Sequence, residues 1–81
     1  MIVVPSINTA SEARSVVRLA KFPPVGVRGQ GSPFACFENG WPTPSEYVAR
    51  ANGTQITMIQ VETKAGVEYV DEISQVEGVG E

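Results

Sequence analysis

An apolar, β-branched run opens the chain at Met1–Val4, a second spans Gln55–Glu62, and a helical pattern follows each. Strands that alternate with helices dictate βα units and a parallel sheet. Neither run alternates cleanly with polar residues, as expected when helices or a barrel interior cover both faces. Two parallel strands alone leave two unpaired edges and too little cover, since sheets normally carry roughly four or more. The predicted class is therefore α/β, with two parallel strands and three helices, read as a slice of a larger assembly. At 81 residues the chain has room for one domain, and a domain of that size buries only roughly 60–65% of its unfolded surface.

The helices are well punctuated. In NTASEARSVVRLAKF, Thr9 and Glu12 have capping-box spacing, the hydroxyl serving an orphan amide while the carboxylate reaches back. Ala13, Val16, Val17 and Ala20 then share one face, with Arg14, Arg18 and Lys21 on the other, read as solvated. Pro23 and Pro24 stop this helix. In TPSEYVARANG, Thr43 is the cap, Pro44 takes the first position, Glu46 completes the box and Gly53 ends the helix. A last helix is expected from Lys64 to Val76, with Val67, Val70 and Ile73 inward and Asp71 and Glu72 outward.

Between the first two helices lies VGVRGQGSPFACFENGWP, residues 25–42. Its glycines permit close backbone approach, and Phe34, Phe37 and Trp41 are too many aromatics for a purely solvated loop. Long irregular stretches in small domains are usually functional or cover something. GVRGQG is neither a Walker A motif nor set between a strand and a helix, so it is not read as a phosphate cradle.

Composition removes several classes. Apolar residues make up 42% of the chain, with a net charge of −3, which indicates a folded soluble piece rather than disorder. Six basic residues and no basic–aromatic cluster argue against nucleic acid. Cys36 is the only cysteine and the chain has no histidine. An internal disulfide is therefore impossible, and a catalytic thiol has no histidine base. Neither a signal peptide nor a membrane-spanning run is apparent, so no membrane partner and a cytoplasmic location are expected.

Gln60 and Glu62 interrupt the second apolar run. Two apart on a strand, they are expected to share one face. In parallel α/β folds ligands bind at the carboxyl ends of the strands. A carboxylate there can hold a hard divalent cation, and a carboxamide beside it can donate to a ligand oxygen. A solvated Glu and a locally bonded Gln are the plainer account of that spacing.

The segments VPSINTASEARSVVRLAKFPPVGVRGQG, PSEYVARAN and IQVETKAGVEYVDEISQVEGV, in this order, resemble the middle portion of the HpcH/HpaI aldolase/citrate lyase family. RGQGSPFACFENG is similar to fungal-like members. The resemblance implies that residues 1–81 are a partial aldolase domain, incomplete at both ends, of a TIM-type (β/α)8 barrel. It implies a carbon–carbon lyase that cleaves or forms hydroxy-2-oxo acids through a pyruvate-type enolate. By the same resemblance Glu62 is a metal ligand for Mg2+ or Mn2+, and Gln60 contacts the substrate's oxo-acid end. The full-length enzyme would take a small-molecule 2-oxo acid and an aldehyde, and would form homo-oligomers.

The chain also departs from the family pattern. The second metal carboxylate, in a GPxDL-like segment, has no counterpart here, nor do the histidine base and the arginine that the family carries before IVVP. Arg28 belongs to the RGQG loop and does not replace that arginine. No residue is therefore assigned a catalytic role, metal binding by the chain alone is expected to be weak or absent, and the isolated chain is expected to be inactive. Two alternatives stand beside this reading. One is a non-catalytic α/β interaction module using Phe34, Phe37 and Trp41. The other is a citrate-lyase-like or malyl-CoA-lyase-like branch of the family.

Overall fold

The computed structural model describes residues 1–31, 40 and 43–80. Among them are two strands, β1 (Ile2–Val4) and β2 (Thr57–Ile59), and four helices: α1 (Ala10–Ala20), α2 (Pro44–Thr54), α3 (Lys64–Glu68) and α4 (Val70–Ser74). Phe34, Cys36, Phe37 and Trp41 lie outside the described residues, with most of the loop read as irregular.

β1 and β2 are parallel, in the register Ile2–Thr57, Val3–Met58 and Val4–Ile59. Val79 forms an isolated parallel bridge to Thr57, and Gly80 N–H donates to the Thr57 carbonyl at 2.7 Å. Thr57 thus has backbone neighbours on both sides. Thr57 is buried, and Ile2, Val4 and Ile59 are half-buried, while Val3 and Met58 between them are exposed. The sheet therefore has one covered and one open face. The covered face meets α1 and α4 through Ile7, Ala13 and Ile73, with Val4, Val16, Ile59, Val76 and Val79 packed around them.

β2 is shorter than the expected Gln55–Glu62. Gln55 closes α2 instead, its N–H donating to the Ala51 carbonyl at 2.8 Å. At the other end only Gln60 continues the ladder, its N–H reaching the Val4 carbonyl at 2.8 Å. Thr63 then caps α3 with its hydroxyl on the Gly66 amide at 3.0 Å.

The predicted caps of α1 and α2 form. Thr9 Oγ1 accepts from Glu12 N–H at 3.1 Å, and Thr43 Oγ1 from Glu46 N–H at 3.2 Å. The Glu12 carboxylate reaches one residue further back than a capping box requires, accepting from Asn8 N–H at 3.2 Å as well as from the Thr9 hydroxyl at 3.3 Å. Gly53 does not end α2, which runs on through Thr54. Its neighbour Asn52 is turned inward, where its side-chain amide pairs with both backbone groups of Phe22, at 2.8 and 3.0 Å.

Two further expectations change. Lys21 is not on a solvated face: it is buried, with Nζ donating to the Asn52 carbonyl at 3.1 Å. The loop after the cis Pro23–Pro24 bond folds back on the end of α1, where Val27 and Arg28 N–H groups reach the Arg18 and Lys21 carbonyls at 2.8 and 2.9 Å. The last helix is broken at Tyr69 (φ −105°, ψ 14°) into α3 and α4. Ile73 is inward as expected, but Val67 and Val70 are 63% and 40% exposed.

Candidate active site

Where β1 and β2 end at their carboxyl termini, the two following segments are tied together. Gln60 C=O accepts from Ile7 N–H at 3.1 Å, and the Thr63 hydroxyl donates to Asn8 Oδ1. Between these ties, Glu62 Oε2 accepts from both the backbone N–H of Ser6 at 3.0 Å and the Ser6 hydroxyl at 3.1 Å. Gly66, at the start of α3, sits so close that an added Cβ would fall 2.9 Å from the Ile7 carbonyl and 3.0 Å from Val61 Cγ1. The spacing between the two connections is thus fixed by backbone as well as by side chains.

Gln60 and Glu62 both lie just past the end of β2, and both are exposed. Glu62 is anchored across to the β1 connection, and its second oxygen, Oε1, accepts no hydrogen bond among the described residues. Gln60 is held through its backbone, by Val4 and Ile7. The two side chains share no hydrogen bond among the described residues.

Ser6, Asn8 and Thr63 were not singled out in the sequence. Ser6 follows Pro5 and carries a positive φ of 57°, a conformation that non-glycine residues rarely adopt. A short SINT run gives no period-based signal for such a turn. Asn8 was legible only as a residue preceding a cap.

A hard divalent cation takes oxygen ligands. The open Oε1 of Glu62 suits that role as one member of a set, while no group of three His, Cys, Asp or Glu side chains that could hold a metal occurs among the described residues. Arg28 takes no part here. Its guanidinium donates to Gln55 Oε1 and to the Tyr47 hydroxyl, each at 2.9 Å, and lies 4.3 Å from the Phe22 ring centroid. It fastens the loop to α2.

Shallow grooves lie elsewhere, between α1 and the segment after α4, lined by Arg14, Val17, Gln75 and Val76 among others. Their walls contain neither Gln60 nor Glu62. No helix among the described residues is long and apolar enough to cross a membrane.

The chain as a whole is similar to several known proteins. A hydroxypyruvate/pyruvate aldolase of Roseovarius nubinhibens is 40% identical over 78 residues, covering 96% of this chain and 30% of that protein. A 2-keto-3-deoxy-L-rhamnonate aldolase of Salmonella paratyphi B is 37% identical over 78 residues, covering 96% and 29%. The crystal structure of an HpcH/HpaI aldolase from Desulfitobacterium hafniense DCB-2 superposes with a TM-score of 0.73 at 36% identity, over 95% of this chain and 29% of that one. The chain therefore spans about 30% of the length of the relatives it matches. Its strands and helices form part of a TIM-type barrel, as the resemblance implied. The model of the family described as HpcH/HpaI aldolase/citrate lyase matches residues 1–80, and to that family the chain belongs.

Proposed function

We propose that these residues form part of the active site of a divalent-metal-dependent aldolase, a carbon–carbon lyase acting on hydroxy-2-oxo acids. The observation that carries this reading is the Glu62 carboxylate, exposed at the carboxyl end of a parallel strand with one oxygen tied to Ser6. The names of the relatives, pyruvate-type and 2-keto-acid aldolases, support the choice of substrate class.

Glu62 would hold Mg2+ or Mn2+ through its open oxygen. Such an ion would supply positive charge to offset the negative charge that grows on the keto oxygen of a 2-oxo acid as the carbon–carbon bond breaks. Gln60 would orient the oxo-acid end by donating from its carboxamide. Its backbone is held on both sides by Val4 and Ile7, so its Cα is a fixed origin for that contact.

The 81 residues contain no histidine, and aldol chemistry needs a group that moves a proton. A lone carboxylate with waters binds Mg2+ weakly. The chain by itself is thus expected to be inactive, its activity arising within a longer, homo-oligomeric enzyme. Purified chain incubated with pyruvate, an aldehyde and Mn2+ should give no product above the uncatalysed rate. Sustained, metal-dependent turnover would overturn that expectation. In the longer enzyme that carries this segment, Mn2+ affinity measured by calorimetry should fall in Glu62→Gln, and an unchanged affinity there would remove Glu62 from the site.

A further inference from the structure

We propose that Ser6 is a positioning residue for Glu62, holding one carboxylate oxygen so that the other stays free to act as a single-oxygen ligand; this rests on the reading of Glu62 given above. Two donors from one residue, the amide at 3.0 Å and the hydroxyl at 3.1 Å, converge on the same oxygen, Oε2. Two bonds to one atom fix the rotation of the carboxylate more tightly than either alone. Oxygen Oε1 accepts no hydrogen bond among the described residues, and Glu62 is exposed. Ligating carboxylates are commonly oriented by such hydrogen bonds.

The backbone at Ser6 supplies an independent observation. Its φ of 57° lies in the left-handed region, which disfavours any side chain bearing a Cβ. Glycine would adopt it freely. Serine at this position gives up that ease and gains a hydroxyl, and the hydroxyl is bonded to Glu62 across a sequence separation of 56. Strained residues of this kind persist where the surroundings over-determine them. Here the neighbouring ties from Ile7 to Gln60 and from Thr63 to Asn8 hold the turn in place.

The experiment separates positioning from mere stapling of the two strand ends. Ser6→Gly keeps the amide, removes the hydroxyl and relaxes the backbone. Ser6→Thr keeps a hydroxyl but places a β-branched residue at positive φ. NMR at low temperature on isotope-labelled chain would read the side-chain couplings of Glu62, and circular dichroism would give the melting temperature. The expected result is one dominant Glu62 rotamer in the parent and in Ser6→Thr, and rotamer averaging in Ser6→Gly. The melting temperature should move the opposite way, unchanged or higher in Ser6→Gly and lower in Ser6→Thr. A single retained Glu62 rotamer in Ser6→Gly would overturn the proposal, as would a drop in melting temperature in that variant.

A second arm addresses the metal. Mn2+ titrated into the millimolar range should broaden the Glu62 and Ser6 amide signals in the parent, and Ser6→Gly should need about 10-fold more Mn2+ for the same broadening. Equal Mn2+ requirement in Ser6→Gly and parent would overturn positioning of a ligand. Broadening that persists in Glu62→Gln would instead overturn Glu62 as the ligand, while the rotamer result still decides the role of Ser6.

Discussion

Gly26 and Gly53 differ only in context, and that context was beyond reach in the sequence. A Cβ at Gly26 would sit 2.3 Å from the Lys21 carbonyl oxygen and 2.4 Å from that of Arg18. Both oxygens are backbone atoms already engaged by the returning loop, so neither can move aside cheaply. Gly53 lies within α2, has no atom within 4 Å of the same construction and does not take a positive φ. Gly26→Ala should therefore destabilise by about 2–3 kcal/mol through overpacking. Gly53→Ala should stabilise by about 0.5–1 kcal/mol, because an exposed helical glycine costs that much against alanine. Denaturant titration of the two variants reads both signs, and a destabilised Gly53→Ala would restore the helix-ending role that its ANG context suggested. Lys21 teaches the same lesson: helical periodicity placed it with Arg14 and Arg18, but the loop folding over the end of α1 buried it.

Caps were legible because they are local. Thr9, Thr43 and Thr63 each receive an amide three residues ahead, and a short sequence window contains everything needed to predict the first two. The break in the last helix has no such local signal. The pattern Val67, Val70, Ile73 fits one unbroken inward stripe, yet the break at Tyr69 resets the phase and leaves only Ile73 in the core. Ile73 is 1% exposed and packs with Ile7 and Ala13. Ile73→Ala should cost about 2–4 kcal/mol, the range for truncating a buried aliphatic side chain. Val67→Ser, at a 63% exposed position, should stay within about 0.5 kcal/mol of the parent. Equal losses in the two variants would mean that α3 and α4 act as one straight helix in solution. The candidate site at the strand ends was half legible by the same rule. Gln60 and Glu62 stood out as polar residues in an apolar run, whereas Ser6 and Asn8 matter through contacts made more than 50 positions away along the chain.

At the scale of the whole molecule, the alternation of strands and helices disclosed the parallel α/β class, and the strand count already implied that two strands are too few. The structure gives that shortage a location. Val3 and Met58 are register partners on the open face of the sheet, 48% and 43% exposed, while the opposite face is covered. In a barrel the open face would be filled by side chains from other strands; here Val3 and Met58 are left to solvent. β1 pairs only with β2, and its other backbone edge has no strand partner among the described residues. An apolar face beside an open edge is a template for association. Sedimentation velocity should therefore show self-association that grows with concentration. Replacing Val3 with Lys and Met58 with Glu, an opposite-charge pair across the register, should suppress it without lowering the melting temperature, because neither side chain contributes to the Ile7–Ala13–Ile73 core. A parent chain that stays monomeric at every concentration would mean that the open face is satisfied in some way the sheet does not reveal. A double variant that dissociates but also melts much earlier would mean instead that association is part of what holds the fold.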